Sequence, residues 1–266
     1  MADNQIQDAS SLAEHRYTFI LDDVLEQGSV TIRSLSERLG VSRETIRRDI
    51  SELAGQNRLK QIRGGAISMT QSEPDFVKRQ TVNAEGKKAI GFLAASLVPD
   101  GASVIIDSGT TTQAVARALA ARSNLKVFTN DITICLQLGR INGNAVTLLG
   151  GQLQSHEDSV VGWDAVNSLS NYCADFAFVG AGAISSEPSL FDFSRDASEL
   201  RGRMLDAAKT RVLVADHSKF GYTASHRVSG FHKITHIITD RRPVQEMDDV
   251  LSSCQLELLV VEKPVT

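Results

Sequence analysis

Little in this sequence points to a covalent framework or a membrane. Three cysteines occur in 266 residues, Cys135, Cys173 and Cys254, odd in number, far apart and without a Cys-x-x-Cys pair. A disulfide scaffold is thereby excluded, no metal site or cofactor is predicted, and three buried free thiols are expected. No apolar run approaches the ~18–20 residues that span a bilayer. Met1 to Ser11 is polar and acidic, without the basic-then-apolar order of a secretory signal, so a cytoplasmic location without a membrane partner is expected. Internal repeats at a fixed period and low-complexity tracts are missing too. So is a strong net charge: 28 basic residues against 32 acidic ones give −4. Taken as an average, that balance argues weakly against a nucleic-acid partner.

What is present is an ordinary globular composition, 42% apolar and 23% charged, in a chain long enough for two domains. The charge is unevenly spread. Between Arg33 and Arg63 eight basic residues (Arg33, Arg38, Arg43, Arg47, Arg48, Arg58, Lys60, Arg63) face four acids (Glu37, Glu44, Asp49, Glu52), so this stretch alone is +4. A basic patch on an acidic protein attracts phosphate backbone locally.

The periodicity around that patch predicts three helices and a wing. Leu12 to Glu26 reads as a first helix burying Phe19, Ile20 and Val24, with Gly28 ending it. Ser29-Val30-Thr31 is β-prone, and Ile32 to Leu39 forms a second helix turning Leu35 and Leu39 inward. Gly40 makes a tight turn. Ser42 caps a third helix running to about Asn57, with Ile46, Ile50 and Leu53 as its core stripe. Leu59 to Ala66, broken by Gly64-Gly65, reads as a β-wing, which completes a winged helix-turn-helix over residues 1–67. On the third helix the core stripe leaves Ser42, Arg43, Thr45, Arg47 and Arg48 pointing elsewhere. Arginines there can grip guanine O6 and N7, and the hydroxyls and amides of the first turn can meet a phosphate. The competing reading, a solvated basic face, loses ground because a helix-turn precedes the face and a Gly-Gly wing follows it. Double-stranded operator DNA is the expected partner.

Residues 68–75, polar, with Pro74 and without periodicity, read as a linker. Beyond them, over 76–266, short apolar runs alternate with helical stretches: Ser103–Ile106, Lys126–Thr129, Ala145–Leu149, Phe176–Val179, Val212–Ala215, Ile234–Thr239 and Leu256–Val261. The expected fold is an α/β domain with a mostly parallel sheet covered on both faces.

Two parts of the chain resemble one family. Val41-Ser42-Arg43-Glu44-Thr45-Ile46-Arg47-Arg48-Asp49, with Glu52-Leu53 and Arg63-Gly64-Gly65-Ala66, looks like the N-terminal signature of DeoR-type repressors. Arg63 stands where that family often has His or Tyr, adding a cation at the wing tip. Glu85-Gly86-Lys87-Lys88-Ala89-Ile90-Gly91, the run Val104 to Thr112 and Ala215-Asp216-His217-Ser218-Lys219-Phe220 resemble the family's sensor domain. Ser189 to Phe193, and Ser123 to Lys126 leading into Thr129-Asn130, look like the glycerol-3-phosphate repressors within it. The resemblance implies a phosphosugar-isomerase-like sensor fold, a repressor's function, and a phosphorylated sugar or polyol as effector.

Candidate effector residues follow the strands, where open α/β sheets collect ligands. Asp107-Ser108-Gly109-Thr110-Thr111-Thr112 is read as a strand end and turn ahead of a helix from Gln113 to Ala121. Its amides and three hydroxyls suit a phosphate oxyanion. Asp107 either accepts from sugar hydroxyls or fixes the loop. Thr129-Asn130, Gly150-Gly151 and Gly180 with Gly182 end three further strands. Lys219 is the expected counter-charge, and His217 is expected to support the structure and not to bind metal. Between Gly182 and Lys219 the family pattern is lost: Gly182-Ala183-Ile184 lacks the usual acid, and the usual glutamate falls near Ala197, with Asp196 and Glu199 offset. A homo-oligomer is expected from the pairing of helix-turn-helix units on symmetric half-sites.

Two other functions compete. A sugar-phosphate isomerase could draw a base and an acid from Asp107 and Lys219, but has no use for a DNA-reading module. An architectural DNA-binding protein would be short and broadly basic, unlike this chain.

Overall fold

The computed structural model describes residues 13–24, 29–56, 58–62, 64–68, 73, 75–154, 157–185 and 187–261. The chain divides into two compact units, Met1–Pro74 and Asp75–Thr266.

In the first unit, helix α1 covers residues 13–24, followed by β1 (Ser29–Thr31), α2 (Ile32–Leu39), α3 (Arg43–Gly55), β2 (Leu59–Ile62) and β3 (Gly65–Ser68). Gly40, at φ 65°, takes the left-handed conformation that ends α2 at little cost. The Ser42 hydroxyl accepts from the Thr45 amide and starts α3. Ile20, Leu35, Ile46, Ile50, Leu53 and Leu59 close one core, each fully buried side chain contributing ~1.5–3 kcal/mol. The strands pair antiparallel in the order β1-β3-β2, the wing of the helix-turn-helix. An ion pair supplements the apolar contacts: Arg16 of α1 grips the buried Asp49 of α3 through two bonds, 2.7 and 3.0 Å.

The second unit begins with α4 (Phe76–Thr81) and α5 (Ala84–Ser96). Then come β4 (Ser103–Ile106), α6 (Thr110–Leu119), β5 (Lys126–Thr129), α7 (Ile132–Leu138), β6 (Ala145–Leu148), β7 (Gln152–Gln154), β8 (Ser159–Val161) and α8 (Trp163–Leu169). The chain continues through β9 (Ala174–Val179), β10 (Ala183–Ile184), β11 (Leu190–Asp192), α9 (Arg195–Asp206), β12 (Ala208–Val214), β13 (His226–Val228), β14 (His236–Thr239), α10 (Gln245–Ser253) and β15 (Glu257–Val260). Seven strands pair in parallel in the order β15-β14-β12-β9-β4-β5-β6. Alternation puts Val104, Ile106, Phe178, Val212 and Val214 under α5, α6 and α7. Ile105, Ala177, Val179 and Leu213 face the other way, under α8, α9 and α10. Both faces are covered, as a parallel sheet requires.

Several expectations need correction. The thiols are not buried: Cys173 is exposed, while Cys135 and Cys254 are half-buried, because they sit just before β9, on the outer side of α7 and at the C-cap of α10. Helix α6 begins at Thr110 and not at Gln113. Gly109, at φ 128°, is its N-cap, so the three threonines form its first turn. Helix α3 stops at Gly55, and β3 runs on to Ser68, where it pairs with Leu59. Leu12, Glu26, Gly28, Asn57 and Arg63 lie outside the described residues.

Candidate functional site

The α3 surface is the nucleic-acid candidate. Ser42, Arg43, Arg47 and Arg48 are exposed and Thr45 is half-buried, while Ile46, Asp49, Ile50 and Leu53 face inward. The Ser42 and Thr45 hydroxyls are 2.9 Å apart at the helix N-terminus. Arg47 is paired with Glu44 one turn earlier on the surface, a contact worth at most ~1 kcal/mol and open to exchange for a phosphate. Arg43 and Arg48 have no ion-pair or hydrogen-bond partner among the described residues. Arg48 lies two residues, roughly 200°, around the axis from the buried Ile46, the furthest outward of the set. Burial of Asp49 against Arg16 takes one of the four opposing acids off this surface. Arg58 and the wing's Lys60, counted in the sequence only as charge, are exposed beside it in the chain.

In the second unit the sheet order dictates where a crevice opens. From β4 the chain steps to β5 and β6 on one side, then returns to lay β9 on the other side of β4. The ends of β4 and β9 are therefore the switch point of the sheet. Asp107 leaves β4 there, 3% exposed. Its Oδ1 accepts from the Ser108 amide (2.9 Å), and its Oδ2 accepts from the Gly180 amide (3.0 Å) and Arg201 Nε (2.6 Å). Arg201, from α9, is also bonded to Asp192 of β11. Burial alone would lower the guanidinium's pKa, but the two carboxylates outweigh it and hold it raised. Burial pushes Asp192 up as well, and Arg201 brings it below the usual carboxylate range. Of the two roles open to Asp107, this geometry is loop fixing.

Next to that triad, Asn130 is 1% exposed. Its Nδ2 donates to Ser108 Oγ (3.2 Å) and to the Val160 carbonyl (3.1 Å). A carbonyl can only accept, so the amide's orientation is set and Oδ1 is left buried without a hydrogen-bond partner. Such an orphan acceptor is costly. Asp131 accepts from Gln113 Nε2 (3.0 Å) and from the Ile134 amide (2.9 Å), and burial raises its pKa. At the other edge of the crevice, Lys87 of α5 is 5% exposed. Burial brings its ammonium down to about 8 against the pull of Asp216, and Lys219 repels it further. Lys219 ends the short 3-10 turn His217–Lys219 that follows β12, its amide donating to the Asp216 carbonyl (3.0 Å). His217 donates its amide to Asp240 and pairs with it through Nδ1 (2.8 Å).

The sheet thus brings together Asp107, Ser108, Gly109, the Thr110–Thr112 turn, Asn130 and Gly180, with Lys219 following β12, the strand beyond β9. Thr129 is fully buried, its hydroxyl accepting from the Asp131 amide. Thr112 returns its hydroxyl to the Gly109 carbonyl. Gly150 and Gly151 lie exposed after the edge strand β6, two strands from β4. At Gly151, φ 142°, a Cβ would stand 2.5 Å from the Val161 carbonyl, so the entry into the β7–β8 pairing itself demands glycine. Gly182 serves the β10–β11 pairing, its amide donating to the Phe191 carbonyl (3.1 Å). Asp196 and Glu199 are exposed on α9. The sequence reading missed Arg201, Asp192 and Gln113, and did not assign Lys87 a role. One signal was available: Ser198, Arg201, Met204 and Leu205 share the buried stripe of α9, and an arginine on an apolar stripe requires a buried partner.

The DeoR-like helix-turn-helix domain matches residues 16–72, and the DeoR C-terminal sensor domain matches residues 82–241. The chain belongs to the DeoR family. It is 36% identical to the HTH-type transcriptional repressor GlcR of Bacillus subtilis, over 94% of this chain and 97% of that one. It is 32% identical to the glycerol-3-phosphate regulon repressor of Escherichia coli, over 91% and 97%. Among solved structures it is similar to ribose 5-phosphate isomerase A of Methanocaldococcus jannaschii, with 17% identity and a TM-score of 0.39 over 52% of this chain and 55% of that one. The DeoR-family frame gives the helix-turn-helix unit the DNA-binding function of a transcriptional regulator, and the seven-stranded unit that of the sensor. No helix among the described residues is long and apolar enough to cross a membrane.

Proposed function

We propose that this DeoR-family regulator is a cytoplasmic, homo-oligomeric repressor of a sugar or polyol catabolic operon, released from operator DNA by a phosphorylated sugar or polyol. The observation that carries the effector half is the crevice at the end of β4. There an α-helix N-terminus and the orphan Asn130 Oδ1 lie at one switch point, and Lys219 follows the end of β12, the strand beyond β9. Acceptors such as Asn130 Oδ1 suit ligand hydroxyls, whereas the α6 amides and Lys219 suit an anion. The pairing of those two chemistries fits a molecule carrying both hydroxyls and phosphate. Glycerol 3-phosphate is the first candidate, since one relative is named for its regulon.

Binding without turnover is favoured over isomerisation because Asp107, the base such a reaction would draw on, is committed to Arg201 and two amides. The test is a thermal shift of the full chain with glycerol 3-phosphate, hexose phosphates and their unphosphorylated parents. A saturating ligand at ~100 Kd stabilises by ~2.7 kcal/mol. Only the phosphorylated forms should shift the midpoint, and Lys219→Ala and Thr110→Val should abolish the shift while leaving operator binding intact, giving super-repressors. Equal shifts by phosphorylated and parent compounds, or mutants that respond at wild-type concentrations, would place the ligand elsewhere.

A further inference from the structure

Two routes end on the same residue, Arg79 of α4, one of them hydrogen-bonded back to the strand ends. The first starts at Asn130. Its side chain donates to the Val160 carbonyl and its own carbonyl accepts from the Val160 amide (2.8 Å), while the Ile132 amide donates to Asp158 (2.9 Å). The β7–β8 connection is thereby fastened to the loop after β5, and the next residue along it, Glu157, holds the Arg79 guanidinium through both carboxylate oxygens. The second is shorter: the buried Lys87 of α5 donates its ammonium to the Arg79 main-chain carbonyl (2.5 Å). Arg79 is 9% exposed and its guanidinium also lies over the Phe76 ring, 5.3 Å from the centroid. Helix α4 is the first element of the sensor unit, starting directly after the boundary at Pro74.

Six residues of helix have little stability of their own. The order of α4 depends in part on what holds Arg79, and Glu157 is tied through the β8 hydrogen bonds to Asn130. A ligand hydroxyl donating to Asn130 Oδ1 would act on the Asn130–Val160 bonds, and through them on the segment that carries Glu157. We propose that Arg79 is the positioning residue that couples occupancy of the strand-end crevice to the segment joining the sensor to the DNA-binding unit. The proposal rests on the crevice being the effector site.

A ligand-free arm and a ligand arm separate the two ideas. In the full chain, hydrogen exchange of the α4 amides is compared in wild type, Asn130→Ala, Glu157→Gln and the double variant. Each single change should speed exchange at residues 76–81 by roughly tenfold, and the double variant should do no more than Glu157→Gln alone. Additive effects, or unchanged exchange in Glu157→Gln, would overturn the route through Arg79. Arg79→Lys, which keeps the charge but shortens the reach, should fall between wild type and Glu157→Gln. In the ligand arm, glycerol 3-phosphate should weaken wild-type operator binding by roughly 5–150-fold. In Glu157→Gln the factor should fall to within about twofold of unity, with the thermal shift by glycerol 3-phosphate retained. Release of operator by Glu157→Gln as in wild type would refute the coupling role while leaving the effector site standing. Absence of any shift in wild type would instead count against glycerol 3-phosphate as effector, and the exchange cycle would then decide the coupling alone.

Discussion

Arg201→Met should destabilise the sensor unit by about 3–5 kcal/mol, the largest effect of any single side chain considered, because it strands two buried carboxylates. Asp107 and Asp192 are 3% and 5% exposed, and both are bonded to this guanidinium. For a unit of this size ~1 kcal/mol corresponds to ~2–4 °C, so the unfolding midpoint should fall by ~6–20 °C. The pH dependence should also change sign. In wild type Arg201 keeps Asp192 below the usual carboxylate range. That stability is present above the unfolded pKa of ~3.9 and lost as pH falls through the lower folded value. Without Arg201, burial dominates and the folded pKa rises above the unfolded one. The folded state then binds more protons, and stability falls as pH rises through that interval. Urea unfolding at pH 5 and pH 7 should therefore show the smaller deficit at pH 5. A variant as stable as wild type, or one equally impaired at both pH values, would mean the triad is not what holds the loop.

Arg48→Ala should weaken operator binding by ~1–3 kcal/mol with the fold unchanged. The side chain is exposed, points furthest from the Ile46 stripe and has no partner among the described residues, so its removal leaves nothing buried unsatisfied. If it reads a guanine, the loss is confined to one base pair; if it grips a phosphate, all sequences weaken alike and the salt slope shrinks by ~1. Arg47→Ala should lose less of the intrinsic contact, since Glu44 already competes for that guanidinium. Wild-type affinity in both variants would remove α3 as the reading helix.

What the sequence made legible were features whose signal is local. Seven apolar runs bounded by turn residues became the seven parallel strands, four-residue Ser103–Ile106 and Lys126–Thr129 to the residue. A strand buried on both faces is apolar without interruption. Ser42, Gly40 and the Ile46–Leu53 stripe placed α3 by equally local signals. The small sheet of β10, β11 and β13 has strands of two or three residues, too short for alternation to register. The partners of Asp107 and Arg79 lie 94 and 78 residues away in the chain, so only the fold reveals them. The α6 start was missed because threonine is a weak helix former. What sets the start is the Gly109 backbone, whose positive φ of 128° is open to glycine.

The central claim is that ligand and operator compete through one protein, and a single titration tests it. A labelled operator duplex bound by the full chain is followed by fluorescence anisotropy while glycerol 3-phosphate, hexose phosphates and their unphosphorylated parents are added at fixed salt, because salt alone shifts such affinities. At least one phosphorylated compound should lower the operator affinity by roughly 5–150-fold, its parent should not, and the operator should weaken that compound's binding by the same factor. An operator affinity indifferent to every phosphorylated compound, or one lowered equally by the parents, would contradict the account.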